Sequence, residues 1–145
     1  MPRYISRRQS RERAKVRISL VATLVVMAYF TKRGFWYKEV STPEIAIEMG
    51  LGKWPGFDLV VSNGKGDRYV EIKGRAKGGN IRITKNEWRS AELHGKYYNL
   101  FVVYNCNKTP VIYYIRNPFN KLKLRKYRGK FVINEKIIKE YFTKV

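Results

Sequence analysis

Apolar residues dominate positions 18 to 30 (ISLVATLVVMAYF), and Lys32, Arg33 and Gly34 follow as a cationic last turn and a terminating glycine. This pattern predicts a helix from about Ser10, as its cap, to Lys32. With no polar stripe in the run, the helix is expected to be buried nearly all round, wedged between a sheet and a second layer. FWYKEV reads as a short aromatic strand and Pro43 to Gly50 as a brief helix or loop. FDLVV and RYVEIKG are rich in β-branched and aromatic residues, and the SNGKGD between them carries strong turn signals, which predicts a β-hairpin. IRITKNEWRSAELHG reads as a strand leading into a helix capped near Thr84 or Asn86 and ended by Gly95; YNLFVVYN and VIYYIRN are two further strands joined by NKTP. NEKIIKEYF has helical spacing of Ile137, Ile138, Tyr141 and Phe142. The order implies an α/β fold with a mixed sheet flanked by helices. A chain of 145 residues fits one domain, with a core over about 10–120, a basic N-terminal arm over 1–17 and a basic C-terminal extension over 121–145 packed on the same core.

The hairpin carries the chemistry. If its loop centres on Gly64 and Lys65, paired residue numbers sum to 129 and Asp58 lies opposite Glu71. Side chains alternate faces, so Asp58, Glu71 and Lys73 share one face while Phe57, Leu59, Val61, Val70 and Ile72 take the other. A one-residue shift of the loop centre keeps the three charged groups together. Opposed Cβ atoms lie about 4.5 to 5.5 Å apart, and carboxylates held that close repel unless a cation sits between them. All-oxygen ligation suits Mg²⁺, with Mn²⁺ as a substitute, and the Ile72 carbonyl offers a further oxygen. Lys73 is then placed to orient the attacking water and to stabilise charge growing on a phosphate. On spacing alone, a solvated Glu71–Lys73 ion pair of little energetic worth explains the same residues.

Charge narrows the partner. Lys and Arg number 31 against 11 Asp and Glu, a net charge of +20, which favours a polyanion over a neutral metabolite; DNA is the expected ligand. Arg7, Arg8, Arg11, Lys85, Lys121, Lys123, Arg125, Lys126 and Arg128 are the expected phosphate contacts. Cys106 and His94 are each the only residue of their type, which removes intramolecular disulfides and Cys/His zinc sites and argues against a Ser-His-Asp triad. His94 reads as exposed, near a helix end. A reducing, cytoplasmic setting fits the lone thiol. Residues 18 to 30 resemble a signal peptide or membrane anchor, but crossing a bilayer takes about 20 residues and no cleavage site follows, so no membrane partner is expected.

GFDLVV and YVEIKG, preceded by a long helix and followed by strand, helix and strand, resemble the PD-(D/E)XK nuclease superfamily, the restriction endonuclease-like fold that includes archaeal Holliday-junction resolvases. More narrowly, the chain is similar over about residues 10–120 to the NO VEIN-type C-terminal nuclease-like domain, most sharply at GFD, VEIKG, TKNEW, LFVVYN and IRNP. The resemblance implies metal ligation at Asp58 and Glu71, with Lys73 as the catalytic lysine. A further acid often comes from the first helix in that superfamily, and Glu12 is the acid available there, with Glu39, Glu44 and Glu48 as competitors. In TKNEW, Asn86 and Trp88 are expected to be cap and core, and Glu87 is left open. The implied activity is Mg²⁺-dependent endonucleolytic hydrolysis of DNA, directed to junctions or branches or related to restriction, and a homodimer is compatible with it. The alternative is a catalytically inactive DNA- or RNA-binding module of the same fold.

Overall fold

A computed structural model describes residues 4–145. Helix α1 spans Arg7–Lys32. Its cap is Ser6 rather than Ser10: the Gln9 N–H donates to Ser6 Oγ at 3.1 Å, and the Ser6 N–H donates to Gln9 Oε1 at 3.0 Å. This reciprocal pair satisfies two otherwise unpaired amides, so the expected basic arm is helical from Arg7 onward. Its first three residues lie outside the described ones.

Strands β1 (Trp36–Glu39), β2 (Leu59–Ser62), β3 (Asp67–Gly74), β5 (Tyr98–Tyr104), β6 (Val111–Arg116) and β9 (Thr143–Lys144) form one sheet in the order β1-β2-β3-β5-β6-β9, in which β3 and β5 run parallel and the other pairs antiparallel. Strands β4 (Ile81–Thr84), β8 (Lys130–Ile133) and β7 (Lys126–Tyr127) form a second, three-stranded sheet. Helices α2 (Pro43–Glu48), α3 (Lys85–His94), α4 (Pro118–Lys121) and α5 (Glu135–Tyr141) complete the chain. The expected mixed sheet with flanking helices is therefore present. The basic stretch 121–130 contributes strand as well as charge: β7 lies within it and pairs with β8, which begins at Lys130 and pairs with β4.

Two apolar layers sandwich the main sheet. Beneath α1 lie Leu59, Val61, Val70, Phe101 and Val103; on the opposite side Val60, Leu100 and Val102 pack with Trp88, Ile133 and Ile138. Helix α1 is buried on one side only, through Ala22, Val26 and Phe30, while Val16, Leu20 and Leu24 are 68%, 57% and 56% exposed. The expected all-round burial fails because α1 is an outer layer whose far side is left exposed among the described residues. The helix as a whole, at 26 residues, is long and apolar enough to cross a membrane, which the 13-residue run suggested it was not; here its inner side covers the sheet. The close crossing requires Gly74, since a Cβ there would meet Ala22 Cβ at 2.7 Å and the Ile18 carbonyl at 3.2 Å.

Candidate active site

The hairpin register is the expected one. Leu59 pairs with Val70 and Ser62 with Asp67, and the Asp58 N–H donates to the Val70 carbonyl at 2.8 Å. Strand β2 begins only at Leu59, so beyond it the Ile72 N–H finds no strand partner and donates to Asp58 Oδ2 at 2.8 Å. In strand geometry the N–H and carbonyl of one residue point to the same side, so the Ile72 carbonyl also faces Asp58. Phe57 departs from the expected alternation. It precedes the strand, follows Gly56 at φ +80°, and packs in the opposite layer against Tyr69 and His94, ring centroids 4.8 and 5.6 Å away. His94 is accordingly half-buried, its ring 4.2 Å from that of Tyr69, and burial lowers its pKa.

The face bearing the charged groups is not a solvated one. Glu71 is only 4% exposed. Lys73 Nζ lies 3.5 Å from Glu71 Oε1 and donates to Glu87 Oε1 at 2.8 Å. Glu87 Oε1 also accepts the Thr84 N–H at 2.8 Å, while Thr84 Oγ1 accepts the Glu87 N–H at 3.2 Å. The helix-capping residue of α3 thus brings a third carboxylate into the site. Sequence reasoning left Glu87 open because T-x-x-E before an apolar run is a complete capping box on its own terms.

Burial, the backbone bond and the neighbouring charges set the protonation. Desolvation pushes Asp58 up from 3.8 to about 6, against the opposing pull of the Ile72 N–H and Lys73. Desolvation, then Asp58 and Glu87, hold Glu71 well above the usual carboxylate value. Burial works against the charge on Lys73 as well, but Glu71 and Glu87 outweigh it and raise its pKa. Glu87 is pulled below the usual value because Lys73 and hydrogen bonds from Glu71, Lys73 and Thr84 outweigh its burial. The result is a charged lysine paired with Glu87, beside two carboxyls that are difficult to ionise together.

Asp58, Glu71 and Lys73 open onto a cleft of about 780 Å³ beneath α1, where Lys15, Arg75 and Lys77 supply positive charge. On the other side, a cavity of about 150 Å³ contains Asp58, Glu71 and Glu87 and is walled by Trp54 and Asn86. Glu12 is not brought to the carboxylates: it is exposed and pairs with Lys15 at 3.7 Å. Glu39 accepts from Ser41 Oγ at 3.1 Å, and Glu44 and Glu48 sit exposed on α2. Trp88 is core, as expected, whereas Asn86 is not the cap, its Nδ2 donating instead to the Trp54 carbonyl at 3.1 Å.

The donor set suits a hard divalent cation. Two carboxyls that oppose each other's ionisation, together with a carbonyl aimed the same way, present oxygen alone, and a cation would favour the ionised Glu71 that burial opposes. Among the described residues no group of three or more Asp, Glu, His or Cys side chains is arranged to hold a metal, so substrate and water would have to complete the shell.

An antiparallel hairpin running into a parallel strand, two acids and a lysine on one face, and a helix crossing the other face together define a restriction endonuclease-like α/β protein. The chain belongs to the family of the C-terminal domain of protein NO VEIN, whose family model matches residues 20–115 and so spans Asp58, Glu71, Lys73 and Glu87. Hjc of Archaeoglobus fulgidus, a Holliday junction resolvase from an archaeal hyperthermophile, has the same fold: it superposes with a TM-score of 0.58 at 15% identity, over 88% of this chain and 91% of that one. No curated protein matches the sequence.

Proposed function

We propose that this protein is a metal-dependent endonuclease that hydrolyses phosphodiester bonds in DNA. The observation that carries the reading is the convergence of Asp58, Glu71 and Lys73 where β2 gives out, with both carboxyls held above their usual pKa values. Asp58, Glu71 and the Ile72 carbonyl would hold Mg²⁺, or Mn²⁺ in its place, which when bound supplies Lewis-acid charge and a more acidic water. Lys73, kept ionised by its acid neighbours, faces the same cleft and stabilises negative charge growing on the phosphate. Lys15, Arg75 and Lys77 draw the backbone in. Arg7, Arg8, Arg11, Lys121, Lys123, Arg125 and Arg128, all exposed, extend the basic surface. Lys85 and Lys126 stand side by side, close enough that Lys85 lowers the pKa of Lys126, a repulsion that a bound phosphate would relieve.

Cutting both strands of a duplex takes two such sites. The exposed stripe Val16, Leu20 and Leu24, with Tyr37 of β1 beside Leu24, is the surface on which a second copy would pack. A cytoplasmic location belongs to the same proposal. The rival, an inactive DNA- or RNA-binding module, draws support from the small number of acidic donors. Incubation of the purified protein with linear, nicked and four-way DNA separates the two: the nuclease reading expects cleavage with Mg²⁺ and none in EDTA, whereas binding without cleavage on every substrate supports the rival.

A further inference from the structure

The GLGKWPG segment, residues 50–56, is absorbed by neither the core nor the acid–lysine site. It leaves the Trp54 indole 64% exposed, although the backbone that carries it is fixed. Three successive carbonyls are held by side chains from α3 and β5: Asn86 Nδ2 donates to Trp54 O at 3.1 Å, Ser90 Oγ to Pro55 O at 2.7 Å, and the Tyr98 hydroxyl to Gly56 O at 2.8 Å. At Gly56 a Cβ would stand 2.6 Å from Ser90 Cβ and 2.8 Å from the Asn86 carbonyl, so the loop closes down on α3 there. Exposing a large aromatic on a pinned loop gives up burial, and the indole has a position that makes sense of it. Trp54 walls the 150 Å³ cavity containing Asp58, Glu71 and Glu87 on one side and a 320 Å³ hollow reaching Phe57, Arg89 and Leu93 on the other. Lys53 Nζ lies 5.8 Å from the ring centroid. Arg89, in the same hollow, adds a second cation.

A flat π-face with Lys53 over it and Arg89 in the adjoining hollow suits a nucleobase stacked next to its own backbone phosphates, and such stacking tolerates any base. In an uninterrupted duplex every base face is covered by its neighbours. An indole fixed at the rim can stack only where a base is unpaired or at a break in stacking. We propose that Trp54 is a stacking site for an unpaired nucleobase next to the scissile phosphate, so that the substrate is a nucleic acid with an open base face, such as a bulge, flap or branch. This deepens the nuclease reading and rests on it for the position of the scissile phosphate.

The test measures binding, not cleavage. Relaxed covalently closed circular duplexes have neither ends nor hairpin loops; one is fully paired, and the other carries a single unpaired 2-aminopurine. In EDTA at fixed salt, Trp54→Ala should weaken binding to the bulged circle by roughly 5- to 100-fold and to the paired one by less than about 2-fold. Trp54→Phe should retain most of the preference, and wild type should quench the 2-aminopurine while Trp54→Ala does not. Equal losses on both circles, or no loss on either, overturn the stacking site even if the protein cuts DNA. A selective loss without Mg²⁺-dependent cleavage leaves the stacking site standing and overturns the nuclease reading.

Discussion

Asp58 carries two loads at once, accepting the Ile72 N–H where β2 ends and standing buried beside Glu71. Its folded pKa of about 6 lies above its ordinary 3.8, so folding favours the neutral acid. The stability this group contributes is therefore full below about pH 3.8 and lost as pH rises through about 6. In EDTA, urea denaturation should show wild type losing on the order of 3 kcal/mol between pH 4 and 7 from this source, a loss that Asp58→Asn lacks. A wild-type-to-mutant difference that stays constant across that range would contradict the buried-acid account. The pairing of Asp58 with Glu71 was legible because Asn-Gly and Lys-Gly set the hairpin's register, and the register set the face. Burial of that face was not legible, since its cover comes from Glu87 of α3 and from the loop at Trp54, Pro55 and Gly56, neither of which the hairpin's own pattern places. Phe57 was misplaced because alternation was carried two residues beyond the strand, up to the turn at Gly56.

Helix α1 illustrates what apolar content does and does not specify. Its existence and its end at Gly34 follow from the run at 18–30 and the cationic last turn, but the sequence marks no inner side, and Leu20 and Leu24 look no different from Val26. The start could have been found: Ser6 and Gln9 form an S-x-x-Q box that competes with Ser10. What seats α1 is the glycine of VEIKG. Gly74→Ala would normally favour a strand by reducing unfolded-chain entropy. Here the added methyl meets Ala22 at 2.7 Å, so the substitution should destabilise by about 1–3 kcal/mol in equilibrium denaturation. An unchanged or higher stability would mean that α1 does not cross β3 as described. The sheet of β4, β8 and β7 is hard to read because the Lys and Arg of KLKLRKYRGK mask β7, whose register partners are Phe131 and Lys130.

Over the whole molecule, a charge of +20 and a recessed cluster of acids pull in opposite directions. The basic surface attracts polyanions, whereas Asp58, Glu71 and Glu87 repel a phosphate that approaches without a compensating cation. That opposition separates binding from chemistry. Composition alone favours a polyanionic partner, since net charge needs no fold; it could not reveal the acid cluster, which exists only once hairpin and α3 are brought together. The most direct measurement is parallel assay of Mg²⁺-dependent cleavage and of DNA affinity in EDTA for wild type, Asp58→Asn and Glu71→Gln. Both substitutions should reduce cleavage by roughly 100-fold or more while leaving affinity unchanged or tighter, because Asp58→Asn removes a charge that repels the phosphate and Glu71→Gln adds none. If Asp58→Asn cuts DNA as fast as wild type, the site does not perform the hydrolysis.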